Sequence, residues 1–265
     1  MTTPVSDPPA SAGRVPCVGL IVIATSRYTC FVPDLIASAR RHFLPGAADV
    51  RYFVCTDRPA EIPPGVTALP VEHRPWPYAT LLRYHHVVRH AGAFADCDFL
   101  FQCDADMRFV ADTEGDLLPT GGSGLVGVEH PGFCWMPSGW DRLRQRLGWE
   151  VRRGRGRRGS YETDPRSLAA VAEHEGEVYY AGGFAGGTRE AYLALVRTLA
   201  DRIDRDLARE IIAVWHDESH LNRYFIDHPP HRLDPRYCHP ESWQLPYPRI
   251  LVALDKEHSA LRAQR

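Results

Sequence analysis

Val18 to Thr25 reads VGLIVIAT, and Val50 to Thr56 reads VRYFVCT. The first is a short, continuous apolar run rich in β-branched side chains, the pattern of a strand covered on both faces in a parallel sheet, and the second reads as the next such strand. Between them Leu35, Ile36, Ala39 and Phe43 recur at helical spacing behind Asp34, so a helix capped by Asp34 is predicted up to His42. Strand, helix and strand make a βαβ unit. After the Pro-rich connection from Arg58 to Pro64, a helix is predicted over 78–94 with His85 and His86 on it. Phe99 to Cys103 (FLFQC) is a further strand, ending directly in Asp104-Ala105-Asp106. This alternation predicts an α/β fold, a mostly parallel central sheet flanked by helices, with ligands bound outside the carboxyl ends of the strands.

The 265 residues suit one large α/β domain, and 44% hydrophobic residues are enough for its core. A formal charge of −2 exerts no global pull on nucleic acid or anionic lipid. The seven cysteines are scattered and never form CxxC, which suggests neither a disulfide framework nor a zinc ribbon and fits a reducing, cytoplasmic setting. No run approaches the ~18 apolar residues that span a bilayer. Residues 1–14 read as a disordered start and 15–265 as the domain. Residues 138–160, containing VRRGRGRRGS, read as an exposed basic insertion loop, too short and too poor in aromatics for nucleic-acid binding. An amphipathic helix is predicted over Glu190 to Arg209, and 253–265 reads as a mobile basic tail.

Alternate side chains of a strand share a face, so Asp104 and Asp106 can both reach one hard divalent cation such as Mg²⁺ or Mn²⁺. By itself Asp-x-Asp is a common pattern in a chain with 33 acidic residues, and a solvated loop is the plainer reading. Trp215 to His220 (WHDESH) gathers two acids and two histidines, with Asp217 a candidate helix cap. His216 and His220, four apart, satisfy one-face zinc geometry, but the segment departs from the metalloprotease HExxH because Asp217 follows the first histidine. His228, His231, Cys238 and His239 form a looser group, interrupted by prolines and read as an irregular loop. Tyr180 to Gly187 (YAGGFAGG) has glycines where backbone approaches a ligand or another element closely, and tight strand-to-helix packing explains them equally well.

Several segments taken together resemble glycosyltransferase family six, the retaining family of histo-blood-group A and B transferases and α-1,3-galactosyltransferases. They are VGLIVIATSRYTCF (18–31), YFVCTDRP (52–59), Trp76 with Arg83, FLFQCDADMRF (99–109), HPGF (130–133), YYAGGFAGGTREAY (179–192), AVWHDESHLNRYF (213–225) and ALDKEHSALR (253–262). They cover nearly the whole chain after residue 17 in the family's order, and WHDESHLN is the most specific.

The resemblance implies a single-domain, Rossmann-like GT-A fold that binds a UDP-sugar donor and a glycan acceptor. Ile23, Ala24, Thr25 and Tyr28 would line the uridine, with Tyr28 carrying more of the base contact because Ile23 replaces the family's stacking aromatic. Asp104, Ala105 and Asp106 match the metal-binding segment, which implies Mn²⁺, with Mg²⁺ as the alternative. Glu218 would be the catalytic carboxylate, by the logic of retaining glycosidases. Asp217 would bind sugar hydroxyls on the donor and acceptor sides, and Arg83 would help hold the donor. His130, Trp215 and Glu218 would meet the acceptor. Lys256, the chain's one lysine, and Arg262 match tail positions that close over the pyrophosphate. Small residues at Ala181, Gly182 and Gly183 favour UDP-GalNAc over UDP-Gal. The acceptor implied by analogy is a galactoside of the fucosylated type, although 138–160 and the segment around Glu241 depart from the animal pattern. A metal-dependent nucleotidyl or phosphoryl transferase and a non-catalytic glycan-binding protein are the competing classes.

Overall fold

The computed structural model describes residues 14–134, 161–173 and 175–256. The basic stretch at 138–160, residues 1–13 of the polar start and residues 257–265 of the tail lie outside the described residues. Arg14, expected within the disordered start, makes a two-pronged ion pair with Asp98 at 2.6 and 2.7 Å.

The elements in chain order are β1 (Cys17–Ile23), α1 (Val32–His42), β2 (Asp49–Thr56), β3 (Thr67–Pro70), α2 (Tyr78–Leu81), α3 (Arg83–Arg89), β4 (Phe99–Asp104), β5 (Met107–Phe109), β6 (Leu125–Glu129), α4 (Pro131–Cys134), β7 (Tyr180–Thr188), α5 (Arg189–Leu207), α6 (Asp217–Asp227), β8 (His231–Leu233), β9 (His239–Pro240) and β10 (Leu251–Ala253). The central sheet has the order β3-β2-β1-β4-β7-β6-β8, and a small second sheet has the order β5-β10-β9. As predicted, the central sheet is mostly parallel; only β7 runs against its two neighbours.

β1 is buried along nearly its whole length, as its unbroken apolar run requires of a strand covered on both faces. α1 lays Leu35, Ile36 and Ala39 on the core, with Pro33 and Asp34 in its first turn and Arg40, Arg41 and His42 in its last, charges that suit the helix dipole. Asp34 is thus inside the helix, one turn further in than the predicted cap; Phe31 holds the cap position. The helix expected over 78–94 is broken. Leu82 and His90 leave helical geometry, with ψ of 13° and 18°, giving α2, α3 and a final 3₁₀ turn. The break at Leu82 lets Arg83 start a new helix, with its side chain buried in the protein.

The glycines of β7 serve strand-to-strand contact more than strand-to-helix packing. A Cβ on Gly186 would lie 2.3 Å from the Phe101 ring and 2.5 Å from the Leu100 carbonyl of β4. α5 begins at Thr188, whose hydroxyl accepts from Ala191 N, and buries Tyr192, Leu195, Val196, Leu199 and Ile203. Its register matches the predicted amphipathic pattern. Among the described residues no helix is long and apolar enough to cross a membrane.

Candidate active site

Asp104 is the last residue of β4, and the turn into β5 carries Ala105 and Asp106. In the β1–β4 ladder Ile23 pairs with Asp104, so the chain leaving β1 runs beside the strand-end acids. Ala24 N donates to the Cys55 carbonyl at 2.9 Å, and buried Thr25 shares a 2.9 Å hydrogen bond with His73 Nδ1. A 3₁₀ turn over Ser26–Phe31 then presents Tyr28, whose ring centroid is 5.2 Å from Lys256 Nζ. The same ammonium pairs with Asp106 Oδ2, and Leu254 N donates to the Asp106 carbonyl at 2.9 Å. The first residues of the expected tail are therefore anchored at the acids, Ala253 as the end of β10. Ile23, Ala24, Thr25, Tyr28, Asp104, Ala105, Asp106 and Lys256 meet at one end of the sheet. Arg262 lies outside the described residues.

Arg83 joins this end to the carboxyl-terminal half. Its Nη1 donates to Asp104 Oδ1 at 2.8 Å and to the Gly182 carbonyl at 2.9 Å. Its Nε stands 2.8 Å from Asp217 Oδ2, an ion pair that lacks the alignment of a hydrogen bond. Burial works against the Arg83 charge, but Asp104 and Asp217 outweigh it and hold the guanidinium above its ordinary value.

Asp217 and Glu218 open α6, where a helix N-terminus favours negative charge. Asp217 is not the cap. His216 takes that place in a left-handed conformation (φ 55°), a strained backbone for a residue with a side chain, and it turns the helix start toward Arg83. Asp217 is 1% exposed, and neither carboxylate oxygen has a hydrogen-bond partner among the described residues. Burial pushes its pKa up to about 7; Arg83 opposes the rise, and Asp104 and Glu218 add to it. A buried acid that is ion-paired at one oxygen and makes no hydrogen bond at either among the described residues is suited to receiving hydroxyl donors.

Glu218 is held at both oxygens. Tyr179 donates its hydroxyl to Oε1 at 2.9 Å, and Gly182 N donates to Oε2 at 2.7 Å. Below it, Asn222 spans β7 and α6: its Oδ1 accepts from Tyr180 N at 2.7 Å, and its Nδ2 donates to the carbonyls of Tyr180 and Glu218 at 2.8 and 2.9 Å. Gly182 is small because Glu218 lies on it, a Cβ there falling 3.2 Å from Oε2. At Gly183 a Cβ would find ordinary contact, 3.5 Å from Asp104 Oδ2, so the space beside the strand-end acid is kept open by choice of residue. Buried Ala181 precedes them on β7. His130 donates its backbone N–H to the Tyr179 carbonyl at 2.8 Å and sets its ring edge-on to Tyr179 at 5.8 Å. Trp215 lies just before α6, its N–H donating to Ser219 Oγ at 3.0 Å.

The residues fit a hard divalent cation. Asp104 and Asp106 offer carboxylate oxygens two residues apart at the end of β4, and Arg83 pairs with the first and Lys256 with the second, so the position draws positive charge. Among the described residues no group of three or more His, Cys, Asp or Glu side chains could hold a metal, so Mn²⁺ or Mg²⁺ here would take its other ligands from water and phosphate. The zinc pair does not assemble. His220 is buried 3.8 Å from Asp206, whereas the His216 ring lies 5.2 Å from that of Trp76. Nor do the later histidines gather: His228 stacks on Tyr224, and His239 forms part of β9.

Tyr179 and Asn222 were not singled out from the sequence, although both stand inside quoted segments. Asn222 follows Glu218 by one helical turn, a spacing that could have marked it. Tyr179 immediately precedes the glycine run, and nothing local distinguishes it from Tyr180.

The model of the family described as Glycosyltransferase family 6 matches residues 14–138 and 148–263. Histo-blood group ABO system transferase 1 of Rattus norvegicus is 31% identical over 92% of this chain and 68% of its own. Globoside alpha-1,3-N-acetylgalactosaminyltransferase 1 of Homo sapiens is 31% identical over 93% of this chain and 68% of its own. O-antigen biosynthesis glycosyltransferase WbnI of Escherichia coli is 24% identical over 92% and 96%. The strand-end acids, the clamped glutamate and the arginine between them thus sit in a GT-A glycosyltransferase, and the chain belongs to glycosyltransferase family 6.

Proposed function

We propose that the chain transfers α-linked GalNAc or Gal from a UDP-sugar to the 3-hydroxyl of a galactoside, retaining the anomeric configuration. The observation that carries this reading is the pair of opposed poles. Asp104 ends β4 and Asp106 lies in the turn after it, Glu218 is fixed by two hydrogen bonds at the start of α6, and Arg83 ties the two places together through Asp104, Gly182 and Asp217. Asp104 and Asp106 would hold Mn²⁺, or Mg²⁺ in its place, which would supply positive charge against the leaving diphosphate. Lys256 adds a compact cation on the same side, and Tyr28, Ile23, Ala24 and Thr25 receive the uridine. Asp217, whose oxygens make no hydrogen bond among the described residues, accepts sugar hydroxyls. Glu218 meets the positive charge that develops at the anomeric carbon.

On the acceptor side His130 and Trp215 flank Glu218, and a galactoside of the fucosylated, blood-group-like type is the proposed class. Ala181, Gly182 and Gly183 favour GalNAc, in keeping with the N-acetylgalactosaminyltransferase activity for which the globoside relative is named. We assign the reaction to the cytoplasm, a reducing setting that suits the buried free thiols of Cys17, Cys55, Cys97, Cys103 and Cys238.

The test is incubation with UDP-GalNAc and UDP-Gal, with and without Mn²⁺, over plain and fucosylated galactosides. Release of UDP with an α-1,3-linked product is expected. Release of pyrophosphate would indicate nucleotidyl transfer, and consumption of neither donor, even by hydrolysis, would refute the reading. Glu218→Gln is expected to abolish transfer while leaving UDP binding within about twofold.

A further inference from the structure

We propose that Tyr179 is the positioning residue of the reaction, its hydroxyl setting the plane of the Glu218 carboxylate. The inference rests on the reading of Glu218 as the group that faces the anomeric carbon.

The terminal torsion of a glutamate is broad, so one hydrogen bond leaves its carboxylate free to turn, whereas a bond to each oxygen fixes the plane. In this chain the Gly182 N–H holds Oε2 and the Tyr179 hydroxyl holds Oε1. The first bond comes from the backbone of a strand interior. The second depends wholly on one side chain, and that side chain is rigid. Tyr179 is 1% exposed, with Tyr161 packed on its ring at 5.2 Å and His130 edge-on at 5.8 Å. Tyr161 is fixed in turn by donating its hydroxyl to the Val178 carbonyl at 2.7 Å. Burial, and then the charge of Glu218, push the Tyr179 phenol well above its ordinary ionisation range, so it remains a donor at every working pH. The same ring orients His130, so one tyrosine relates the acceptor-side histidine to the carboxylate.

The experiment compares Tyr179→Phe with Glu218→Gln and wild type, using whichever of UDP-GalNAc and UDP-Gal is turned over, and follows UDP release. Tyr179→Phe keeps the ring packing and removes only the donor. The expected result is a 10- to 100-fold fall in kcat, with the donor KM and the calorimetric UDP affinity within twofold of wild type. The unfolding midpoint and UDP titration establish that the variant is folded. A wild-type kcat for Tyr179→Phe beside an inactive Glu218→Gln would overturn this inference alone. Parallel losses of kcat and UDP affinity in Tyr179→Phe would also overturn it, since they indicate a merely structural tyrosine. Wild-type turnover by Glu218→Gln would overturn the reading of Glu218 and this inference with it.

Discussion

Replacing Asp217 by asparagine should make the protein more stable at pH 8 relative to wild type than it does at pH 4. Asp217 is buried, and its pKa rises from 3.8 in the open chain to about 7 in the fold. Between those values the unfolded chain has released the proton and the folded protein still holds it, so wild-type stability falls as pH rises. Roughly three pK units at about 1.4 kcal/mol each give a loss of about 4 kcal/mol, complete above pH 7. The amide of the variant does not titrate. Arg83 gains an ionised partner only as Asp217 loses its proton, and that attraction is already contained in the folded value of about 7, so it adds no further slope. The assay is urea unfolding of both proteins from pH 4 to 8, plotting their stability difference against pH. A rise of about 4 kcal/mol in favour of Asp217→Asn is expected. A flat difference would refute the burial argument, and a fall would mean that Asp217 ionises more readily in the fold than in the open chain. Sugar transfer by the variant should drop at every pH, because the amide cannot accept hydroxyl donors at both positions.

Three further outcomes test other parts of the structure. Burial, relieved partly by Asp206, lowers the pKa of His220 to about 4 from 6.5, so the stability it contributes is present above pH 6.5 and lost as pH falls toward 4; His220→Phe should narrow the acid-induced loss by about 3 kcal/mol in unfolding titrations. Gly186→Ala places a Cβ 2.3 Å from Phe101 and 2.5 Å from the Leu100 carbonyl, and should cost about 3 kcal/mol by denaturant unfolding; an unchanged midpoint would refute the strand contact. Asn222→Ala strips Tyr180 of partners at both its N–H and its carbonyl, and should lower stability by about 3 kcal/mol and kcat with it, whereas Asn222→Asp, still able to accept from Tyr180 N, should lose less.

The strands were legible because their signal is local. β1 is an unbroken apolar run and β2 is buried from Tyr52 to Thr56, and the side chains of Asp34 to His42 repeat at helical spacing whatever surrounds them. The break at Leu82 was not legible, since Arg83 is drawn inward by Asp104 and Asp217, which lie 21 and 134 positions away. The same applies to β7. Its glycines mark close approach, but whether to a strand, a helix or a ligand depends on register, and Gly186 and Gly182 turn out to answer differently. At the site, Asp104 and Asp106 at a strand end and Asp217 and Glu218 at a helix start stand out as carboxylate pairs, while the roles proposed for them rest on the family resemblance. Tyr179 does not stand out, because its role is defined by a partner 39 residues further on.

The antiparallel pairing of β7 with β4 has a metrical consequence. The ladder runs from Phe99 opposite Thr188 to Cys103 opposite Phe184, and its next step brings Asp104 level with Gly183, beside the Gly182 N–H that grips Glu218. The span from Asp104 to the Gly182 N–H that grips Glu218 is therefore set by the register of two paired strands. Lengthening the loop between β5 and β6 would leave that span unchanged. One residue added inside β4 or β7 would turn every later side chain to the opposite face and carry one pole out of the cleft.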